Sequence, residues 1–364
     1  MTDASRIPPS DDAWGDAPAA SGPWADVAAY ALAHEIGWPR DVGEALRAGA
    51  FEPPPWNEIL GPTHERGGPA GVVLHGGELV AEWGDSRRPD MTFSVAKSYL
   101  AVLAGLAFDD GLLDPDARVA ETALDDGFAS EHNAGITWAH LLQQSSEWEG
   151  TLWDKPDLVD RNRQLGPGAD NSRKGQHRAL CVPGTYWEYN DVRVNRLSLS
   201  LMQLFRRPLP EVLDERIMRP MGASESWQWH GYRNSTVEID GRPMTSVPGG
   251  SHWGGGLWIS ARDQARLGLM VLRGGRWGET QVLPEGWVTQ MTTPCPIRPD
   301  YGFLWWLNTK RERYLAAPED AYAAVGAGGN LVLCVPSRDL VLVARWCEEA
   351  AMQELIARAM AACG

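Results

Sequence analysis

Apolar positions fall into a small number of patterns along this chain. "WADVAAYALAHEIGW" (24–38) has helical spacing, whereas "FEPPPWNEILGP" (51–62) reads as a rigid extended connector. "AGVVLHGGELVAEWG" (70–84) places two β-rich runs around Gly76-Gly77 and predicts a hairpin. The longest apolar helix is "SVAKSYLAVLAGLAFDDGLL" (94–113), which ends at Asp-Asp-Gly and puts Ser94 at its N-cap or first turn. "ITWAHLLQQSSEWEG" (136–150) predicts a helix that stops in a loop, and "WISARDQARLGLMVLRGG" (258–275) a helix ended by Gly274-Gly275. "NLVLCVPSRDLVLVARW" (330–346) gives two apolar strands about a turn, followed by an amphipathic helix in "EEAAMQELIARAMAACG".

Strands therefore sit towards both ends and helices between them. The economical assembly is an α/β chain of the α+β type, with one antiparallel sheet drawn from both chain ends, flanking helices and an inserted, mainly helical lobe. The expected organisation is an N-terminal extension over 1–50, partly disordered and then helical, and a main domain over 51–364. In that domain an α/β lobe takes about 65–110 plus 245–364, and the helical lobe about 111–244. No internal repeat is visible.

The 364 residues, 43% hydrophobic and 22% charged, supply enough chain for a large core. A formal net charge of −15 argues against nucleic acid or an anionic membrane surface as a partner, because phosphate neutralisation needs clustered Lys and Arg. The five cysteines are scattered without a CxxC, so a disulfide framework or zinc site is not expected. The first 24 residues lack a basic and then apolar leader, and no apolar run is long enough to span a bilayer; the expectation is a cytoplasmic protein. Eighteen tryptophans stand out, and Trp187 and Trp253 are candidates for the wall of an apolar cleft rather than simple packing.

Three stretches carry candidate chemistry. In "MTFSVAKSYL" Ser94 and Lys97 are three apart, the spacing that puts two side chains on one helix face. Either they are an N-cap serine and a solvent-facing lysine, or a nucleophile beside an amine whose pKa is lowered by burial. In "CVPGTYWEYNDVRVN" Tyr189 follows a Pro-Gly turn; it either anchors a loop or, beside an ammonium, shuttles a proton. In "AAVGAGGNLVLCVP" the glycines precede a strand, which is the reverse of a dinucleotide-binding turn. Gly326 and Gly328 permit close approach of a ligand, and a backbone N–H here pairs with that of Ser94 as an oxyanion hole. There is no G-x-S-x-G elbow and no metalloprotease pair of histidines. His252 in "GGSHWGGG" either lines the cleft or is a hydrogen-bonded structural residue.

The order Ser-x-x-Lys on the first long helix, Tyr189 in "PGTYWEY", then a glycine-rich edge before the last strands resembles the serine β-lactamase and penicillin-binding-protein superfamily. Within it the chain is more similar to the esterase and amidase branch, with carboxylesterases and 6-aminohexanoate-dimer hydrolase. The resemblance covers about residues 65–360. It implies Ser94 as acylated nucleophile, Lys97 as assistant in its deprotonation and Tyr189 as proton shuttle. The N–H groups of Ser94 and Ala327 would hold the oxyanion, with no cofactor or metal, and small esters or amides as substrates. Oligomeric state is left open, as is the choice of acylation base. Two departures stand out. The superfamily's Tyr-x-Asn ends here in Asp191, which cannot donate a hydrogen bond and instead pairs with Lys97 or a cationic substrate group. The Lys of Lys-Thr-Gly is replaced by Ala324, which disfavours β-lactamase or D-alanyl-D-alanine peptidase activity. The alternatives are such an enzyme, or a catalytically silent binding protein on the same fold.

Overall fold

The computed structural model describes residue 14, residues 22–166 and residues 168–364. The disorder expected over the first residues therefore lies outside the described residues, apart from Trp14. Eleven elements frame the site. The helices are α1 (Pro23–Ala33), α2 (Val95–Asp109), α3 (Asp191–Phe205), α4 (Ala261–Leu272) and α5 (Met352–Ala362). The strands are β1 (Ala70–His75), β2 (Glu78–Trp83), β3 (Trp306–Leu307), β4 (Tyr322–Gly326), β5 (Asn330–Val335) and β6 (Leu340–Arg345).

The strands form one antiparallel sheet in the order β3-β4-β5-β6-β1-β2, so the hairpin from the first third of the chain closes onto the last strands. Register explains why these strands read as continuous apolar runs. Ala324, Val332, Val343 and Val72 lie side by side and face the core that contains α2 and α4. The adjacent row, Ala323, Leu333, Leu342 and Val73, faces a second core shared with α1 and α5. A sheet buried on both faces has no polar side to display. The helix expected over 258–275 is shorter than its sequence pattern: Trp258 and Ile259 belong to a strand, Gly256–Ile259, and Ser260 caps α4 by accepting from Asp263 N. The strand wins because Trp258 and Ile259 pair with Met91 and Asp90.

Helix α2 is buried all round, from Val95 to Ala107, and runs through the middle of the molecule. Beyond it, the helical region is tied together by a buried ionic cluster. Glu147 accepts from Arg178 at 2.6 and 2.7 Å and from Arg193 at 2.7 Å. Burial alone would raise the Glu147 pKa, but the two guanidinium groups bring it down to about 2. A depressed carboxylate stabilises the fold above its unfolded pKa and loses that contribution as pH falls through the folded value. Glu147→Gln should therefore lower stability at pH 7 by about 3 kcal/mol. Urea titrations should show the gap narrowing from about pH 4.5 towards pH 2.

Candidate active site

The short strand Asp90–Met91 pairs with Gly256–Ile259, and Thr92 extends the pairing by donating to Leu257 O at 3.0 Å. The chain then turns sharply: Phe93 is buried in the left-handed region at φ 50°, a conformation that costs a non-glycine residue energy. The turn delivers Ser94 to the start of α2 with its hydroxyl unused as a cap. Arg345, buried at the end of β6, braces the turn by donating to Met91 O at 2.9 Å, to Ile259 O and to Asn330 Oδ1.

Ser94 Oγ instead accepts from Lys97 Nζ at 2.8 Å. Lys97 is 1% exposed, so it is not the solvent-facing residue of the bland alternative. Its other two donors go to Asp191 Oδ1 at 2.5 Å and Gly249 O at 3.2 Å. Three acceptors around one nitrogen call for three N–H bonds, the ammonium form. Here the expectation of a lowered Lys97 pKa is corrected. Burial does push it down, but the Asp191 carboxylate in contact outweighs burial and the pKa is raised. For the same reason Asp191 is held well below the carboxylate range despite its burial.

Asp191 is the first residue of α3, placed by Asn190, whose side chain accepts from Val192 N and Arg193 N as an N-cap. Its second oxygen accepts from Arg163 Nη1 at 2.6 Å and faces His252 Nδ1 at 3.3 Å. With both oxygens occupied and 3% exposure, Asp191 pairs with Lys97 and its neighbours rather than with a substrate cation. His252 is not free in a cleft either. Its Nε2 meets Glu52 at 2.5 Å, so both ring nitrogens face carboxylates and both must donate. Burial lowers the His252 pKa, but Asp191 and Glu52 together raise it above its ordinary 6.5. A raised histidine stabilises the fold fully below its unfolded pKa and loses that contribution as pH rises through the folded value. His252→Gln should accordingly flatten the decline of Tm with pH above about 6.5, measured from pH 5 to 9 by circular dichroism.

The sequence reading did not find the rest of this network. Arg163 reaches Asp160 at 3.2 Å, and Lys174 donates to Glu52 and to Asp160, the latter at 3.2 Å. Glu52, Asp160 and His252 have ligand atoms within 4.8 Å of one another, a spacing that could hold a metal ion. The Lys174 ammonium already bridges the two carboxylates, so the chain supplies its own cation there. The dense charges of "PDLVDRNRQ" and the three-residue spacing of Asp160 and Arg163 were the available signal.

Tyr189 completes the group. Lys97 Nζ lies 4.8 Å and Arg163 Cζ 5.2 Å from its ring centroid, and its ring stacks on Trp306 at 5.9 Å. Trp187 joins this aromatic wall, 6.0 Å from Trp306 and 6.2 Å from Tyr189. Gly326 closes the other side. A Cβ there would sit 2.1 Å from Thr92 O and 3.1 Å from Ser94 N, so only glycine lets the end of β4 lie against the backbone of Ser94. Ala327 follows directly, its carbonyl accepting from Asn330 Nδ2 at 2.6 Å. Gly250 is a further neighbour that the sequence reading missed, since a Cβ on it would be 3.3 Å from Lys97 Nζ and 3.6 Å from Ser94 Oγ. Gly328 and Trp253 are placed differently. Gly328 packs on the Trp346 ring, and Trp253 is 1% exposed with its indole donating to Trp56 O at 2.8 Å. A separate cavity of about 560 Å³, lined by Thr137, His140, Gln143, Gly184 and Ile297, includes none of the residues around Ser94.

Known proteins share the fold. The beta-lactamase family model matches residues 56–346. A protein of Escherichia coli O157:H7, provisionally named a D-alanyl-D-alanine carboxypeptidase, is 22% identical over 275 residues, 64% of this chain. The chain spans 63% of that relative's length. Among solved structures, the hydrolase EstCE1 superposes with a TM-score of 0.59 at 14% identity, covering 94% of this chain and 98% of its own. A provisionally named 6-aminohexanoate-dimer hydrolase of Bacillus anthracis gives 0.56 at 17%, covering 81% and 78%. A penicillin-binding-protein homologue of Caulobacter crescentus gives 0.58 at 16%, covering 89% and 98%. With Ser94 and Lys97 opening its central helix and the matched model spanning most of its length, the chain belongs to the beta-lactamase family.

Proposed function

We propose that this protein is a serine hydrolase that cleaves small ester or amide bonds through an acyl-enzyme on Ser94. The observation that carries the reading is the Lys97–Ser94 contact of 2.8 Å at a buried helix start whose serine caps nothing. Ser94 Oγ attacks the substrate carbonyl carbon as its proton leaves for the oxygen of Tyr189, which this step requires as the phenolate. The Lys97 ammonium, which donates to Oγ, stabilises the negative charge that develops on it. The Ser94 and Ala327 N–H groups receive the carbonyl oxygen as it becomes an oxyanion. Collapse breaks the bond to the alcohol or amine, which leaves with the proton from Tyr189. Water then attacks the acyl carbon and gives its proton to Tyr189, which returns that proton to Oγ as the bond from Oγ to the acyl carbon breaks.

A lysine fixed as an ammonium favours Tyr189 over Lys97 as the acylation base. Ala324 is 1% exposed within the sheet, so that position supplies no cation for a β-lactam carboxylate. This supports an esterase or amidase over a β-lactamase. Five free cysteines support a reducing, cytoplasmic setting; among the described residues no helix is long and apolar enough to cross a membrane. The test is intact mass spectrometry after a fluorophosphonate probe, with peptide mapping, alongside turnover of p-nitrophenyl butyrate. One adduct on Ser94 with turnover supports the reading. An adduct without turnover indicates the silent binding protein, and neither in folded protein overturns the assignment.

A further inference from the structure

The cavity of about 560 Å³ beside the helix Trp138–Leu142 has no part in the reaction at Ser94, yet its wall is chemically specific. Its floor is aromatic. Phe108, near the end of α2, and Phe303 both pack on Trp287, at 5.2 and 5.5 Å between ring centroids. Polar groups without partners line the same space. His140 Nδ1 accepts from Thr137 N at 3.2 Å, so the neutral ring carries its proton on Nε2. Burial outweighs the Asp116 carboxylate and holds the His140 pKa below its ordinary 6.5, which keeps the ring neutral at pH 7. Among the described residues Nε2 has no acceptor, and a Cβ on Gly184 would lie 2.5 Å from it, so glycine there leaves the donor uncovered. The side-chain amides of Gln143 and Gln290 also line the cavity, and neither has a hydrogen-bond partner among the described residues.

Charge selects the ligand. Asp114 and Asp116 line the cavity and are exposed, and among the described residues no lysine or arginine lines it. Asp114 Oδ1 accepts from Asp116 N at 3.0 Å, and neither carboxylate has an ion-pair partner among the described residues. Asp110, on the same stretch of chain, is by contrast paired with Arg216 at 2.9 Å. Two uncompensated carboxylates above an aromatic floor attract a cation twice over, by their charge and through the negative faces of the rings. A cavity of this volume, with an apolar floor and a few convergent polar groups, has the make-up of a small-molecule site. We propose that it is a second binding site, separate from that of Ser94, for a small organic ammonium. The ammonium would sit against Asp114 and Asp116 and the apolar body on Phe108 and Phe303. His140 Nε2 would donate to an acceptor on the ligand.

The test is isothermal titration calorimetry of the full chain at pH 7 with 2-phenoxyethylammonium and its neutral counterpart 2-phenoxyethanol. Neither carries an ester or amide bond, so the outcome is independent of the role of Ser94. One variant combines Asp114→Asn and Asp116→Asn, which keeps side-chain volume and removes charge. The other, Ala139→Trp, fills the cavity from the helix Trp138–Leu142. Unchanged Tm would establish that both are folded; if Ala139→Trp is not, the paired Asn variant decides. Wild type should bind the ammonium about 5- to 10-fold more tightly than the alcohol. The paired Asn variant should lose that preference while its affinity for the alcohol stays as it was, and Ala139→Trp should abolish binding of both. Added salt should narrow the wild-type preference. Wild-type protein that does not bind the ammonium overturns the proposal, as does ammonium binding that survives both variants, which would place it elsewhere. A preference unchanged by the paired Asn variant overturns the ligand class.

Discussion

Ser94→Ala should lower kcat/KM for p-nitrophenyl butyrate by at least about 10³-fold and abolish the fluorophosphonate adduct, because the variant has no oxygen to acylate. The fold should survive. Ser94 caps nothing, and its hydroxyl takes only one of the three hydrogen bonds of Lys97. Tm should therefore stay within about 2 °C of wild type, since surrendering one hydrogen bond with the donor otherwise satisfied costs about 1 kcal/mol. The decisive outcome is the combination of folded protein, no adduct and no turnover. Residual turnover near the wild-type rate would show that some other residue carries the chemistry.

A second large effect is expected on stability at Lys97. Lys97→Met removes the cation from a buried carboxylate that burial alone would neutralise. The loss should be about 3–5 kcal/mol at pH 7, read from urea titrations, along with most of the activity. Asp191→Asn should cost a similar amount by leaving Lys97 and Arg163 close together without the anion between them. The pairing predicts strong non-additivity: Lys97→Met with Asp191→Asn should be more stable than the sum of the two losses implies. The pH dependence follows the same signs. Asp191 contributes above about pH 3.8 and its contribution fades as pH falls. Lys97 contributes below about pH 10.5 and fades as pH rises through its raised pKa. Additive losses with no pH dependence would mean that the pair is not the ionic unit described.

Much of the frame was legible in residue order. Alternation and turn chemistry located the Gly76-Gly77 hairpin, the two strands around Pro336 and the terminal helix, because these depend on neighbours a few residues apart. The pair Ser94 and Lys97 was legible for the same reason, since three residues on a helix fix their proximity. The helical pattern runs back over Trp258 and Ile259, the last two residues of the strand at 256–259, because that strand's partner, Asp90–Met91, lies far away in sequence.

Electrostatics shows where local pattern stops. The sequence left Lys97 either solvent-facing or buried, and burial and a carboxylate contact act in opposite directions on its charge. The sign depends on whether Asp191, 94 positions away, comes within bonding distance. Glu52, Asp160, Lys174 and His252 enter the same cluster from four separate segments. Periodicity and short motifs are set by backbone geometry over a few residues, so the chain states its helices, its hairpins and the Ser94–Lys97 pair by itself. Charge states and the company of each ionisable group are set by distances across the folded chain, which fall off too steeply to be read from residue order.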